Sequence, residues 1–252
     1  MLTKAIVRKP GKNFSEGITT SGLGKPDYDK VLEQHNNYCR ALEKCGLNLI
    51  ILEPDIKFPD CTFVEDTAIM TEEFAVITRP GDSRRLGEEE EIKEVLQILK
   101  KIEIIRPPGN VDGGDVLRAK DHFYIGLSKR TNQNGANQLQ DILFKYGYSS
   151  SLIAVGSILH LKSGVNYINN NNLIIIPELS GRKEFSDYKH ILVNPGEEYS
   201  ANCLPVNNFL LFPEGFPATR NILTAKDYTI MEIDISEFRK MDGGLTCLSL
   251  RF

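Results

Sequence analysis

Five times along this chain an amphipathic stretch leads to an apolar strand, and a pair of short apolar strands accompanies each one. That recurrence limits the fold more than any single residue does. Residues 28–45 place Val31, Leu32, Tyr38, Leu42 and Cys45 at helical spacing. Pro26 and Asp27 suit the start of that helix and Gly46 its end. The strand LNLIILEP follows, and then FVEDTAIM and FAVITRP read as a hairpin. A helix is expected over 87–100, with Glu88–Glu91 as a solvated first turn favoured by the helix dipole rather than a metal site.

The cycle then returns. IEIIRP leads to the hairpin DGGDVLRAKDHFYIGLS, a helix over 133–146 and the strand SLIAVG. The hairpin VNYINNNNLIIIP carries the run Asn169–Asn172, suited to positive φ in its turn. A short helical stretch near 183–188 and the strand HILVN complete that unit. The hairpin NCLPVNNFLLFPE, a helix near 217–226 and the strand YTIMEID form the next. LTCLSLRF at the C-terminus and TKAIVRKP at the N-terminus are each left without a hairpin partner. Pairing them completes a fifth hairpin.

Units of about 40–55 residues predict a closed array in which each buries its apolar face on its neighbours. Joining the terminal strands also removes exposed sheet edges. The expected architecture is a single α/β domain over residues 1–252, a five-bladed propeller with helices outside and strand ends converging on a central channel. The competing fold is an open α/β sheet, whose glycine fingerprint and Walker loop are both missing.

Composition narrows the function. At 41% hydrophobic and 25% charged, the chain has the balance of a soluble enzyme. A formal net charge of −4 offers no basic excess for phosphates, which argues against nucleic-acid binding. MLTKAIVRKPGKN lacks a signal-peptide core, and no apolar run approaches the roughly 20 residues that span a membrane. The five cysteines are odd in number and match no zinc spacing. They are expected to be reduced thiols in a cytoplasmic protein. Cys39 and Cys45 fall on the apolar helix face, Cys61 reads as structural, and Cys203 reads as core.

Polar residues break the apolar rule at one recurring place, the opening of a hairpin. Glu65 and Asp66 stand there in the first unit, Asp112 and Asp115 in the second, His160 in the third and Cys247 in the last. Equivalent positions in a ring converge near its axis. A thiol, an imidazole and carboxylates meeting there suit nucleophilic attack on a cationic carbon. Gly113–Gly114 and Gly243–Gly244 permit close backbone approach. Each residue also has a plainer reading. Cys247 reads equally as a core cysteine in the last strand, His160 as a structural histidine, and the two acids as edge-strand residues. His35, His122 and His190 read as surface or packing residues.

The segments PDCTFVEDTAI, ITRPGDSRR, DGGDVL, GLSKRTNQ, LHLKS and DGGLTCLS resemble the dimethylarginine dimethylaminohydrolase family, in order and over nearly the whole chain. That family belongs to a guanidine-modifying superfamily with a five-bladed α/β propeller. The resemblance implies hydrolysis of Nω,Nω-dimethyl-L-arginine, or of the monomethyl form, to L-citrulline and an alkylamine, without a metal or other cofactor. It implies Cys247 as nucleophile, His160 as proton donor and then base, and Asp112 as the acid paired with His160. Asp66 and Glu65 match carboxylates that hold the guanidinium. Arg85 and Arg130 match arginines that clamp the α-carboxylate, with Arg84 as the alternative to Arg85. Asp60 and Ser163 match secondary contacts, and Ile18 lies in an expected lid. The partner implied is this small methylated arginine. A homodimer is compatible with the sequence, which leaves the oligomeric state open.

Three rivals remain at this level. An arginine deiminase carries an aspartate two residues after its histidine, where this chain has Lys162. An amidinotransferase usually needs a longer chain. A non-enzymatic propeller, such as the ribosome anti-association factor of this shape, has no use for Cys247, His160 and the acids.

Overall fold

Backbone pairing sorts the strands into five separate three-stranded sheets. The computed structural model describes residues 1–252. In the first blade β1 (Lys4–Arg8) runs parallel to β2 (Asn48–Leu52). In the second, β3 (Ala68–Met70) and β4 (Phe74–Ile77) form a hairpin, and β5 (Lys101–Ile104) lies parallel to β4. The third repeats this with β6 (Val116–Ala119), β7 (His122–Leu127) and β8 (Ser149–Ala154). The fourth uses β9 (Val165–Tyr167), β10 (Asn172–Ile175) and β11 (Lys189–Leu192). The fifth uses β12 (Leu204–Val206), β13 (Phe209–Pro213) and β14 (Ile230–Ile233).

The first blade is completed by the other end of the chain. β15 (Leu250–Arg251) pairs antiparallel with β1, Ala5 opposite Arg251 and Ile6 opposite Leu250. This is the terminal pairing that the repeat demands, and it makes the molecule a five-bladed α/β propeller. First strands of neighbouring blades touch, β6 with β9 and β15 with β3, so they ring the axis.

The helices form where the periodicity puts them. α1 spans Tyr28–Lys44 and begins at Asp27, whose carboxylate accepts from the amides of Asp29 and Lys30. α2 spans Glu89–Leu99, and α3 spans Gln133–Lys145 behind an Asn132 cap. The helix near 217–226 is Pro217–Thr224. The stretch near 183–188 is less regular: a four-residue helix, Pro177–Ser180, and a single turn, Lys183–Phe185. Asn169, Asn170 and Asn171 all adopt positive φ in the β9–β10 turn. Each long helix seals a blade with its apolar stripe. Val31, Tyr38 and Leu42 of α1, for example, pack with Val7, Phe238 and Leu248. No helix is long and apolar enough to cross a membrane.

One local expectation is corrected. FVED is not strand. Val64–Thr67 is a single helical turn, closed where the Thr67 hydroxyl donates to the Val64 carbonyl at 2.7 Å, and β3 starts only at Ala68. Cys247 likewise lies in a turn, Thr246–Leu248, and not in the last strand. Every blade has such a turn before its first strand, at Val64–Thr67, Gly113–Asp115, Leu161–Gly164, Glu198–Ala201 and Thr246–Leu248. The turns meet around the axis. Between the last two, Thr246 donates its amide to Asn202 Oδ1 at 3.0 Å and Asn202 Nδ2 donates to the Thr246 hydroxyl at 3.1 Å.

Candidate active site

The ring of turns carries the polar residues singled out above. A small cavity at its centre, about 40 Å³, is lined by Asp66, His160, Cys247, Arg85, Arg130 and Asp60, with Ile18 above. Seven of the ten expected site residues are thus drawn together, with Asp112 directly behind His160.

Close packing of glycine backbone makes this convergence possible. A Cβ on Gly113 would overlap the Glu65 carbonyl oxygen, and one on Gly114 would sit 2.5 Å from His160 Nδ1. Gly243 and Gly244 stand in the same relation to Phe63 and Asn202. Both glycine pairs therefore do what their placement suggested.

Asp66 is fully committed. Its Oδ1 accepts the Gly114 amide at 2.9 Å and its Oδ2 accepts from Arg85 Nη1 at 2.6 Å. Burial works against its charge, but His160, Arg85 and these hydrogen bonds hold the carboxyl down at about 2. His160 lies with Nε2 3.3 Å from Asp112 Oδ2. Burial alone would lower the imidazole; the charges of Asp66 and Asp115 and the contact with Asp112 raise it to about 9. His160 is therefore a protonated donor at neutral pH. Asp115 supports it through backbone: its Oδ1 accepts the Leu161 amide, and its Oδ2 takes the hydroxyls of Ser128 and Thr131.

Cys247 is half-buried and is the only cysteine that is not fully buried. Burial, then the charges of Glu65 and Asp66, push its thiol up to about 12, against smaller opposing effects of the Gly244 amide and Lys162. At neutral pH the thiol keeps its proton.

The two arginines differ. Arg85 is buried and engaged: Nε and Nη2 donate to Glu88 Oε2 at 3.0 and 2.7 Å, and Nη2 also donates to the Phe63 carbonyl. Arg130 approaches Asp82 and Asp112 only at 3.8 Å. Arg84 points outward, clamped to Asp82, so it is not an alternative to Arg85.

The loop before α1 closes the cavity. Asp60 accepts the Ile18 amide on both oxygens, at 3.1 and 3.0 Å. Beyond it, Thr20 donates its amide to Asp242 at 2.6 Å, and the Thr19 and Ser21 hydroxyls donate to the Lys240 carbonyl. The loop thus bridges to the Met241–Gly243 lip, which lines the same cavity.

Matches to known proteins agree with this geometry. A family model described as "N,N dimethylarginine dimethylhydrolase, eukaryotic" matches residues 24–182. The N(G),N(G)-dimethylarginine dimethylaminohydrolase of Pseudomonas aeruginosa is 46% identical over all of both chains. The chain belongs to the dimethylarginine dimethylaminohydrolase family. Two crystal structures of this family, one with citrulline and one an adduct with S-methyl-L-thiocitrulline, superpose at a TM-score of 0.98, with 45% identity and full coverage of both chains. The N-terminal domain of ArgZ, an arginine dihydrolase, shares the fold at a TM-score of 0.88 and 17% identity, over 98% of this chain and 96% of that one.

Three expectations need correction against the structure. Glu65 does not line the small cavity. It turns to the opposite side of the ring, where its Oε1 meets Lys162 at 2.7 Å and Arg251 at 3.1 Å beside a second cavity of about 190 Å³. The two adjacent residues of this turn point apart, Asp66 to the small cavity and Glu65 to the larger one. Ser163 is half-buried and lines neither cavity. The glutamate run is not wholly solvated either: Glu88 is buried, 4% exposed, against Arg85.

Asp66, Asp112 and His160 hold donor atoms within 4.8 Å of one another. They fit a metal poorly. Both Asp66 oxygens are already engaged, and His160 is held in the protonated form, which cannot ligate. Sequence reasoning missed Met241, Asp242, Phe63 and Leu159 on the cavity wall. The motif DGGLTC contained a signal for Asp242, which fastens the lid.

Proposed function

We propose that this chain hydrolyses Nω,Nω-dimethyl-L-arginine and Nω-monomethyl-L-arginine to L-citrulline and the corresponding methylamine. The observation that carries this reading is the set of Cys247, His160 and Asp66 on one small cavity, in a chain 46% identical to the dimethylarginine dimethylaminohydrolase of Pseudomonas aeruginosa.

The guanidinium is a planar cation with a poorly electrophilic carbon. Asp66, ionised and pinned by Arg85, offers it a fixed negative partner. Its positive charge offsets the carboxylates that hold the Cys247 thiol up, so ligand binding drives the thiol proton off to water. His160 cannot take that proton, because it already carries one. Sγ attacks the guanidinium carbon and gives a tetrahedral adduct. The C–N bond to the methylated nitrogen then breaks as His160 donates its proton to the departing amine, leaving a thiouronium on Cys247. Neutral His160 next takes a proton from water, whose oxygen adds to the same carbon. The C–S bond breaks, and citrulline leaves.

Two features favour a methylated substrate over arginine. Lys162 occupies the position where a deiminase keeps an aspartate, and it neutralises Glu65. That leaves Asp66 as the member of the Glu65–Asp66 pair that faces the cavity lined by Cys247. Arg130, whose guanidinium makes no hydrogen bond within the protein, receives the substrate α-carboxylate. Asp60 holds the Ile18 loop over it. A single domain over residues 1–252, free in the cytoplasm, and dimeric where two copies meet, completes the proposal.

Incubation with arginine, monomethylarginine and dimethylarginine separately, with citrulline measured from each, tests it. Release from the two methylated forms and little from arginine is expected. Release from arginine alone favours the deiminase reading.

A further inference from the structure

Four of the five turns around the axis have a part in the site. They carry Asp66, Asp115 and Cys247, and His160 stands at the head of Leu161–Gly164. The remaining turn, Glu198–Ala201, places no side chain on the small cavity. Asn202, which ends it, is 5% exposed and lines neither cavity. Its side chain is nevertheless spent entirely on other turns. Nδ2 donates one hydrogen to the Lys162 carbonyl and the other to the Thr246 hydroxyl, both at 3.1 Å, and Oδ1 accepts the Thr246 amide at 3.0 Å. Gly244 packs flat against this amide, where a Cβ would lie 2.5 Å from Asn202 Cγ.

Lys162 is two residues beyond His160, and Thr246 adjoins Cys247. Asn202 thus joins the backbone that carries the proton donor to the backbone that carries the nucleophile. Asn166 donates to the same Lys162 carbonyl at 2.7 Å and to the Ala201 carbonyl at 2.9 Å. It keeps the His160 turn on the Glu198–Ala201 turn, but the tie onward to Thr246 belongs to Asn202. We infer that Asn202 is a positioning residue that fixes the offset between His160 and Cys247. Both proton transfers take place at groups attached to the carbon on Sγ: the departing amine first, the entering water second. Sγ holds that carbon, so the separation of the two turns decides whether the imidazole reaches. The inference rests on the proposed hydrolysis.

Two substrates with the same amino-acid head and different leaving groups test it. Dimethylarginine expels an amine, which needs the proton of His160. S-methyl-L-thiocitrulline expels methanethiolate: the Cys247 Sγ–carbon bond forms, the carbon–sulfur bond to the methylthio group breaks, and the electron pair leaves with that sulfur without a proton. Both give the same thiouronium. Asn202→Leu is close in size and makes no hydrogen bonds. It is expected to lower kcat/KM for dimethylarginine about a hundredfold, the loss when an acid is misplaced by about 1 Å. For S-methyl-L-thiocitrulline kcat/KM should hardly change. Equal loss with both substrates marks damage to the thiol, to binding or to the fold, and overturns the inference; so does undiminished turnover of both. If Asn202→Leu does not fold, Asn202→Ser keeps a polar group with one hydrogen to donate in place of two, and the same disparity is required. A wild type that releases no citrulline from dimethylarginine rejects the hydrolase reading, and Asn202's role with it. An active wild type whose variants show no disparity rejects Asn202's role alone.

Discussion

Lys162 Nζ lies 2.7 Å from Glu65 Oε1, on the side of the turn ring away from the cavity that Cys247 lines. The pair influences the nucleophile from behind: Glu65 raises the Cys247 thiol and Lys162 lowers it.

Opposite effects are therefore expected from the two partners. Lys162→Met should slow alkylation of Cys247 by iodoacetamide at pH 8, and Glu65→Gln should speed it. In the wild type the rate should still be climbing at pH 9, because the thiol sits near 12. A plateau below that pH, or changes of the same sign in both variants, contradicts this picture.

Gly114→Ala tests the close approach of the turns. The new methyl would lie 2.5 Å from His160 Nδ1 and 3.1 Å from Asp66 Oδ1. A shift of the imidazole is expected to cut kcat by about a hundredfold while the thermal midpoint changes little, since a misplacement near 1 Å has that cost. Activity close to wild type would mean that His160 needs no fixed place.

Arg130→Ala separates head-group recognition from the chemistry. Loss of its charge-assisted bonds should lower kcat/KM for dimethylarginine by about a hundredfold. Turnover of N,N-dimethylguanidine, which lacks the amino-acid head, should hardly change. Equal damage to both substrates would assign Arg130 to the fold or to Asp112, which it approaches at 3.8 Å.

Stability should depend on pH through His160. Its imidazole is raised from 6.5 to about 9, so the native state holds a proton that the unfolded chain loses first. That contribution is full below pH 6.5 and disappears as pH climbs through 9. Glu88, raised by burial from 4.5 to about 7, acts in the same direction over a lower window. Asp66 is the reverse case: its contribution is present above 3.8 and is lost as pH falls through about 2. The melting temperature should fall between pH 6.5 and 9, and His160→Gln should flatten the slope. An equal slope in the variant contradicts the assignment.

Much of this could be read from residue order. The unpaired terminal strands required each other, and Ile6 does pair with Leu250. The recurrence of polar residues at hairpin openings placed Cys247, His160, Asp112 and Asp66 together before any coordinates. Other features were hidden for identifiable reasons. Phe63 and Val64 make FVED look like strand, and the turn shows only in the bonds from the Asp66 amide to the Phe63 carbonyl and from the Thr67 hydroxyl to the Val64 carbonyl. Once that turn exists, Glu65 and Asp66 diverge, which no strand-based register predicts. Glu88 is masked by the three exposed or half-exposed glutamates that follow it, and its burial depends on Arg85 folding back from a neighbouring turn. The tie between Thr20 and Asp242 spans 222 residues and leaves no local trace.

The central claim is that Cys247 forms a covalent bond to the guanidinium carbon. Acid quenching during turnover of Nω,Nω-dimethylarginine, followed by mass analysis of the digested protein, tests it most directly. A mass increase equal to the substrate less dimethylamine, on the peptide that contains Cys247 and absent from Cys247→Ser, is the predicted result. Turnover to citrulline with no adduct on Cys247, or with undiminished rate in Cys247→Ser, would contradict it.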